Sequence, residues 1–272
     1  MAKDFTLSDG TKLHVFTADE MGFMVTSTLV VRKQKALLIG ARFRLSDGRE
    51  IVEYLKENKL ELEQIFIIHG DPDYYFGLEE VKAAFPEVVA VATPFVVEHI
   101  LATVENKLEV WRDFLGDDLP KNVVIPSVMT EQVIEFQGTS WKLYGSEPSQ
   151  VNLWNEETKT LIGGVNVFNE SHLFLADTPT IKELRDWQGR LRELLALDAD
   201  LVVVSHGDES RSFDNQALQF SLDYIEYAIE LKGYVQDSET FKEKIQERFP
   251  NLRNESVLDM SAKVMTGEMV WG

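Results

Sequence analysis

The stretch Ile65-Phe66-Ile67-Ile68-His69-Gly70-Asp71-Pro72-Asp73-Tyr74 decides the fold and holds the first candidate site. Its first four residues are apolar and mostly β-branched, which predicts a short buried strand. The strand ends in a histidine and two aspartates, and the intervening glycine and proline predict a tight loop. Because ligands of α/β folds bind at the carboxyl ends of strands, we expect a polar site in this loop.

A second apolar run ends in the same way. Residues 201–204 read Leu-Val-Val-Val and are followed by Ser205-His206-Gly207. Each of the two runs follows a β-rich segment, so the chain divides into two halves that are first β-rich and then β/α. We therefore predict two sheets whose carboxyl edges converge on one site that contains His69 and His206.

The rest of the pattern predicts alternating strands and helices. Asp9-Gly10 is a hairpin signal between two short apolar segments, and Pro94 favours a helix start for the periodic stretch 94–114. We find no repeat, low-complexity tract or linker, so we predict an α/β (α+β) fold in a single domain over 1–272, with a helical C-terminal extension over about 213–272. Further predicted elements are strands at 24–31, 36–39, 64–68, 88–92, 133–136, 141–144, 151–154 and 160–162, and helices at 49–58, 77–85, 181–197, 215–231, 238–249 and 257–265.

The composition limits the partners of the chain. A net charge of −19 over 272 residues disfavours nucleic acids and anionic membrane surfaces. The absence of cysteine excludes disulfides, thiolate nucleophiles and iron–sulfur clusters. The start of the sequence lacks the apolar segment of a signal peptide, so we expect a cytoplasmic location. A small molecule is then the expected partner, and a homo-oligomer is left open.

Several segments together resemble the metallo-β-lactamase-fold hydrolases. The loop 69–74, followed by Gly77-Leu78 and a predicted helix, is similar to the signature of that family, His-x-His-x-Asp-His. Later segments keep the family's order: Tyr144-Gly145-Ser146 stands where Gly-His is usual, Leu161-Ile162-Gly163-Gly164 where Gly-Asp is usual, and Val204-Ser205-His206-Gly207 where Gly-His-Gly is usual. The resemblance runs from about residue 20 to about residue 210, and is strongest to a divergent bacterial branch.

The resemblance implies a fold and a chemistry. The fold is a four-layer αβ/βα sandwich, in which two central sheets carry helices on their outer faces and the site lies at one edge. The chemistry is hydrolysis of esters, thioesters, amides or phosphodiesters, in which one or two metal ions activate water and polarise the substrate.

The metal motif is degenerate in this chain. Asp71 and Ser146 stand where the family has histidines, Tyr74 where it has the last histidine of the signature, and Gly164 where it has the aspartate that bridges two metals. The positions that match by identity are His69, Asp73 and His206. A two-metal centre is therefore not expected, and one metal ion or none remains.

The resemblance implies a specific one-metal site. A zinc, iron or manganese ion would be bound by His69, Asp71 and His206, which leaves one position for water. Asp73 would act as general base and Tyr74 would stabilise an oxyanion. Weaker candidates for the substrate pocket are His172, Asp177 and Ser146. The leading hypothesis is a hydrolase of a small ester, thioester or lactone.

A rival hypothesis gives the same residues no catalytic role. The four substitutions in the motif favour a catalytically silent member of the fold that binds a small molecule or a protein without a metal. At the level of single residues, Asp71 is also typical of a turn and Asp73 of a helix cap, and a lone histidine is often satisfied by backbone groups. Metal dependence separates the two hypotheses.

Overall fold

The computed structural model describes residues 2–271. The strands within that range are β1 (Ala2–Thr6), β2 (Lys12–Thr17), β3 (Thr26–Arg32), β4 (Lys35–Ile39), β5 (Glu61–Ile67), β6 (Ala90–Ala92), β7 (Ser127–Val128), β8 (Val133–Phe136), β9 (Thr139–Tyr144), β10 (Asn152–Asn155), β11 (Thr160–Ile162), β12 (Phe168–Asn169), β13 (Leu201–Val203) and β14 (His206–Gly207). The α-helices are α1 (Leu45–Glu57), α2 (Pro72–Tyr75), α3 (Leu78–Ala84), α4 (Pro94–Leu115), α5 (Ile181–Leu195), α6 (Asn215–Lys232), α7 (Ser238–Arg248) and α8 (Glu255–Thr266).

The first half of the chain builds a seven-stranded sheet in the order β1-β2-β3-β4-β5-β6-β7. Strands β1 to β4 pair antiparallel through short turns, including the predicted Asp9-Gly10 hairpin. From β4 onward the pairs are parallel, because helices return the chain between the strands. This parallel part places the carboxyl end of β5, and thus His69, at one edge of the sheet.

The second half builds a five-stranded sheet in the order β13-β11-β10-β9-β8. Its last strand, β13, pairs parallel to β11 and is followed by the two-residue strand β14, which contains His206. The backbone at this point joins the two halves, because Thr26 N–H donates to Ser205 O over 2.8 Å and Val25 forms an isolated bridge with His206. The predicted convergence of the two histidine-bearing strand ends is confirmed.

Alternating side chains of the sheets separate two apolar cores. In β5, Ile65 and Ile67 pack beneath helices α1, α3 and α4, whereas Phe66 faces the second sheet and its Trp141. Helices α5 and α6 cover the outer face of the second sheet, with α7 and α8 packed beyond them. The layers therefore run helix, sheet, sheet, helix, as predicted for the αβ/βα sandwich. No helix within 2–271 is long and apolar enough to cross a membrane.

Helix α4 lines the candidate site with a face that its apolar periodicity does not identify. Thr93 caps it by accepting the Val96 N–H, and Pro94 stands in its first turn, as predicted. Val96 and Ile100 are buried against the first sheet, but Leu101, which we expect on the apolar face, is 61% exposed. The helix is thus buried along a narrower stripe than its apolar residues indicate.

Candidate functional site

The loop after β5 holds His69, Asp71 and Asp73 at the junction of the two sheets. Pro72 starts the single turn of α2, with Asp71 just before it. Gly70 lets α4 approach this loop, because a Cβ atom at Gly70 would lie 2.7 Å from a ring carbon of His99. The close approach of the helix brings His99 against the carboxylate of Asp71.

Nitrogen atoms of three side chains surround the carboxylate of Asp71. Its Oδ2 lies 3.3 Å from His69 Nδ1, and its Oδ1 lies 3.3 Å from His99 Nε2 and 3.5 Å from Lys107 Nζ. The side chains of Asp71 and Lys107 are 16% and 17% exposed, so they form a largely enclosed ion pair. Lys107 thus brings a fixed positive charge to the carboxylate.

The electrostatics of this cluster favour the charged forms of both Asp71 and His69. Burial alone would raise the pKa of Asp71, but the charge and hydrogen bond of His69, followed by His99 and Lys107, hold it well below its usual range. Burial opposes a charge on His69, but the carboxylates of Asp71, Asp73 and Asp177 outweigh it and raise the pKa of His69. An internal ion-pair network results.

His206 forms a separate pair with Asp73. Its Nδ1 donates to the carbonyl oxygen of Phe23 over 2.8 Å, which directs Nε2 towards the loop after β5. Nε2 lies 3.2 Å from Asp73 Oδ2 and 3.1 Å from the Tyr74 hydroxyl. Burial raises the pKa of Tyr74 well above its usual range, so its hydroxyl keeps its proton. Both ring nitrogens of His206 therefore have partners.

These two pairs lie at the border of a cavity of about 790 Å³. One side of the cavity is an aromatic wall, formed by Phe23, Phe43, Trp111, Phe114, Phe174 and Trp271. Members of the wall contact one another, with ring centroids 5.4 Å apart for Phe23 and Trp111 and 5.6 Å apart for Phe174 and Trp271. A cavity of this size, mostly apolar with a few polar groups, is typical of small-molecule sites.

Asp177 lies beside the aromatic wall. Its Oδ1 accepts a hydrogen bond from Trp271 Nε1 over 2.8 Å, and it lines the cavity. Although the carboxyl group is exposed to this space, the surrounding protein desolvates it, and this burial together with the charge of Asp71 raises its pKa to about 6. Asp177 is therefore ionised at neutral pH, although its surroundings disfavour the negative charge.

The other predicted pocket residues divide into two groups. His172 borders the cavity and pairs through Nδ1 with the Tyr224 hydroxyl at 3.0 Å, and burial lowers its pKa to about 4, so it is neutral. Ser146 is exposed, donates its backbone N–H to Glu193, and is not among the described residues that line the cavity. Tyr74 is not among the described residues that line the cavity, but its hydroxyl contacts His206 and its ring lies 5.3 Å from that of His69.

Sequence reasoning missed the contribution of α4. We interpret His99 from its pattern as a structural helix residue, yet it contacts Asp71 and lines the cavity. The residues of α4 that line the cavity recur at spacings of three and four positions along one face: Val96, His99, Thr103, Asn106, Lys107, Val110, Trp111 and Phe114. This mixed polar and aromatic stripe, next to the buried one, is a sequence signal for a second contact face, but it does not identify what that face contacts.

The comparisons with known proteins agree with the architecture. The sequence model of the metallo-beta-lactamase superfamily matches residues 21–206, which is more than half of the chain. The chain belongs to this superfamily. The matched range also agrees with the extent of the resemblance in the sequence. No curated protein matches the sequence significantly.

Solved structures show the same fold at low sequence identity. TMB-1 is 19% identical with a TM-score of 0.57, covering 84% of this chain and 98% of its own. A metallo-beta-lactamase from Pontibacter korlensis is 20% identical with a TM-score of 0.58, over 83% and 99% of the two chains. DIM-1, exposed to ceftazidime, is 18% identical with a TM-score of 0.59, over 84% and 97%. At these identities the similarity establishes the fold alone.

The donors present do not fit the metal centre that the superfamily implies. Within residues 2–271, no three His, Cys, Asp or Glu side chains converge in an arrangement that could hold a metal ion. His206 is paired with Asp73, and the Lys107 ammonium next to Asp71 would repel a cation there. The ligand set His69, Asp71 and His206 stays a prediction, and these contacts do not favour it.

The backbone packs closely around Gly164, the position where the resemblance implies a bridging aspartate in the family. A Cβ atom at Gly164 would lie 2.2 Å from the carbonyl oxygen of Val151, and Gly164 N–H donates to Asn152 Oδ1 over 2.8 Å. Any side chain at this position requires the neighbouring strand end to move. A carboxylate side chain at this position would therefore not fit the local packing.

Replacing Gly164 with alanine tests this close packing. We expect Gly164→Ala to lower the free energy of unfolding by about 1–3 kcal/mol, because the added methyl group overlaps Val151. Gly189→Ala is the matched control, since Gly189 lies in α5 with no atom within 4 Å of the added Cβ. The free energy of unfolding of that variant, measured by urea unfolding, should rise by up to about 1 kcal/mol. Equal stability of the two variants would refute the close contact.

Proposed function

We propose that this chain binds a small organic molecule in the cavity without a metal ion. The observation that carries the proposal is the Lys107 ammonium, 3.5 Å from Asp71 Oδ1, at the edge of a cavity of about 790 Å³. Lys107 supplies the positive charge that balances the Asp71 carboxylate, so this carboxylate does not need a metal ion as its partner. The superfamily fold then provides a preformed pocket rather than a reaction centre.

The aromatic wall supports an apolar ligand. Its rings offer a large surface that is already ordered by mutual packing, so binding loses little side-chain entropy. Phe168 and Trp187 are buried and also line the cavity. Their sequence pattern fits a place in the core and a place in a subunit interface equally well. The polar side chains of His69, Asp71 and His206 border the same cavity and would orient the ligand.

The one-metal hydrolase of a small ester, thioester or lactone is the second candidate. One observation favours it: His69, Asp71, Asp73 and His206 all line the same cavity. It requires His206 to leave Asp73 and a metal ion to compete with Lys107. The two functions differ in their dependence on metal, which is directly measurable.

A neutral fluorescent probe tests the binding function. We expect N-phenyl-1-naphthylamine to bind saturably, with the same affinity in chelator and in added zinc, because the apolar wall and not a metal provides the contacts. Trp111→Ala should weaken binding about ten-fold or more, since it removes a central ring of the wall. Fluorescence titration gives both affinities.

The same helix offers a matched control for this experiment. Leu101 is 61% exposed and is not among the described residues that line the cavity, so Leu101→Ala should leave probe affinity unchanged. Ester hydrolysis that requires zinc and disappears in His69→Ala would favour the second candidate. Probe binding that depends on zinc would contradict the proposed function.

A further inference from the structure

The charged groups around the cavity are unbalanced. Among the described residues that line it, Asp71, Asp73 and Asp177 carry carboxylates, whereas Lys107 is the single lysine and there is no arginine. The histidine nearest to Asp177 in the sequence, His172, is kept neutral by burial, which lowers its pKa to about 4. Among the described residues that line the cavity, carboxylates therefore outnumber lysines and arginines, in a chain whose net charge is −19.

Among the described residues, Asp177 is the one of these carboxylates with no Lys, Arg or His nitrogen within ion-pair distance, although the charges of Lys107 and His69 reach it from further away. Asp71 is next to Lys107 and His69, and Asp73 is next to His206. The hydrogen-bond partner of Asp177 is the neutral indole N–H of Trp271. A carboxylate whose hydrogen-bond partner is a neutral donor is stabilised by a cation that enters the cavity.

The aromatic wall beside Asp177 is suited to a cation. The ring centroids of Trp271 and Phe174 lie 5.6 Å apart and those of Trp271 and Trp111 lie 6.5 Å apart, so a cluster of aromatic rings extends from the Trp271 ring that donates to Asp177. The Lys107 ammonium already lies 5.9 Å from the centre of the Trp271 ring. Aromatic faces next to a carboxylate are the usual recognition chemistry for organic ammonium groups.

A buried acceptor next to the backbone of Phe23 has no hydrogen-bond partner among the described residues. Asn254 is 2% exposed and lines the cavity, and its Nδ2 donates to Ser171 Oγ and to the carbonyl oxygen of Phe23. Its Oδ1 has no hydrogen-bond partner among the described residues. A buried amide oxygen without a partner is unfavourable, so this atom is a ready acceptor for an N–H or O–H donor of a ligand.

From this arrangement we propose that the ligand is an organic cation: a protonated amine with an apolar or aromatic body. Its ammonium lies between Asp177 and the aromatic wall, its body fills the apolar part of the cavity, and a second donor reaches Asn254 Oδ1. The inference rests on the proposed function, since it assumes that the cavity binds a small molecule. It adds to that function the prediction that the bound molecule is positively charged.

Three compounds with two aromatic rings each, of which two share one shape, test the charge preference. Dibenzylamine is an ammonium at neutral pH, dibenzyl ether replaces its nitrogen with oxygen, and diphenylacetate is an anion with two similar rings. We expect dibenzylamine to displace N-phenyl-1-naphthylamine about ten-fold more effectively than dibenzyl ether, and diphenylacetate to be the weakest. In Asp177→Asn the advantage of the amine over the ether should disappear. Asp113→Asn, at an exposed position of α4, should retain it.

The outcomes separate this inference from the function on which it rests. An ether that competes as well as the amine, or an anion that competes better, overturns the cation assignment while the binding function stands. An advantage of the amine that survives in Asp177→Asn also overturns the assignment of Asp177. If the neutral probe itself does not bind, the proposed function fails first. Thermal unfolding of each variant confirms that it is folded before it is compared.

Discussion

Asp71→Asn is expected to lower the free energy of unfolding by about 2–4 kcal/mol near pH 6, the largest loss from a single isosteric change in this cluster. The substitution keeps the shape of the side chain but removes the charge to which His69, His99 and Lys107 are drawn. The positive charge of Lys107 then lies in a largely enclosed place without a counter-ion. The loss stays below that of a fully buried pair, because the side chains of Asp71 and Lys107 are 16% and 17% exposed.

The pH dependence of this loss follows from the two pKa shifts. The pKa of Asp71 is lowered from 3.8, so its contribution is present above pH 3.8 and is lost as the pH falls through its folded value. The pKa of His69 is raised from 6.5, so its contribution is present below pH 6.5 and is lost as the pH rises through its folded value. The difference between wild type and variant should therefore peak between these two pH values.

Urea unfolding of both proteins from pH 3 to pH 9 measures this profile. Asp113→Asn is the matched control at an exposed position and should differ little from wild type at any pH. A difference for Asp71→Asn that is flat across the whole range would show that the lost charge is not coupled to His69.

Charge reversal at Lys107 is expected to have the second large effect. Lys107→Glu places a carboxylate next to Asp71 Oδ1, which Lys107 Nζ approaches to 3.5 Å, so attraction becomes repulsion and stability falls by about 2–4 kcal/mol. The same change adds an acidic donor to a cluster that contains His69, Asp71 and His99. We therefore expect zinc to raise the melting temperature of this variant by about 4 °C or more, and that of wild type very little.

Two further variants isolate the cause of this effect. Lys107→Met removes the charge but keeps an apolar stem, so its stability should lie between those of wild type and Lys107→Glu. Lys56→Glu reverses a charge at an exposed position of α1 and should respond to zinc as wild type does. Destabilisation of Lys107→Glu that zinc does not relieve would indicate that Lys107 does not occupy a cation position.

The fold was largely predictable because it depends on local patterns. The strand at Ile65 and Ile67 and the helix start at Pro94 follow from apolar runs and turn residues. Helix α1 begins at Leu45 rather than at the predicted residue 49, since the Asp47 carboxylate accepts the Arg44 N–H and caps an earlier turn. The two-residue strands β12 and β14 escape prediction because they exist only through pairing between segments about forty residues apart.

The site was predictable only in part, for a physical reason. The strand-end histidines His69 and His206 are visible because each follows an apolar run directly. Lys107 and Trp111 are not visible, since an amphipathic helix shows which face is buried but not that a second face meets a loop from another part of the chain. The contact of Trp271 with Asp177 joins residues 94 positions apart, which no local pattern encodes.

Zinc binding to the wild-type protein tests the central claim most directly. Protein purified without chelator or affinity-column metal would be dialysed against zinc, and bound metal measured by elemental analysis in wild type and in His69→Ala. If Lys107 and the histidines satisfy the carboxylates, both proteins should hold less than about one-tenth of an equivalent of zinc. One equivalent in wild type that is lost in His69→Ala would contradict a metal-free site and restore the one-metal hydrolase.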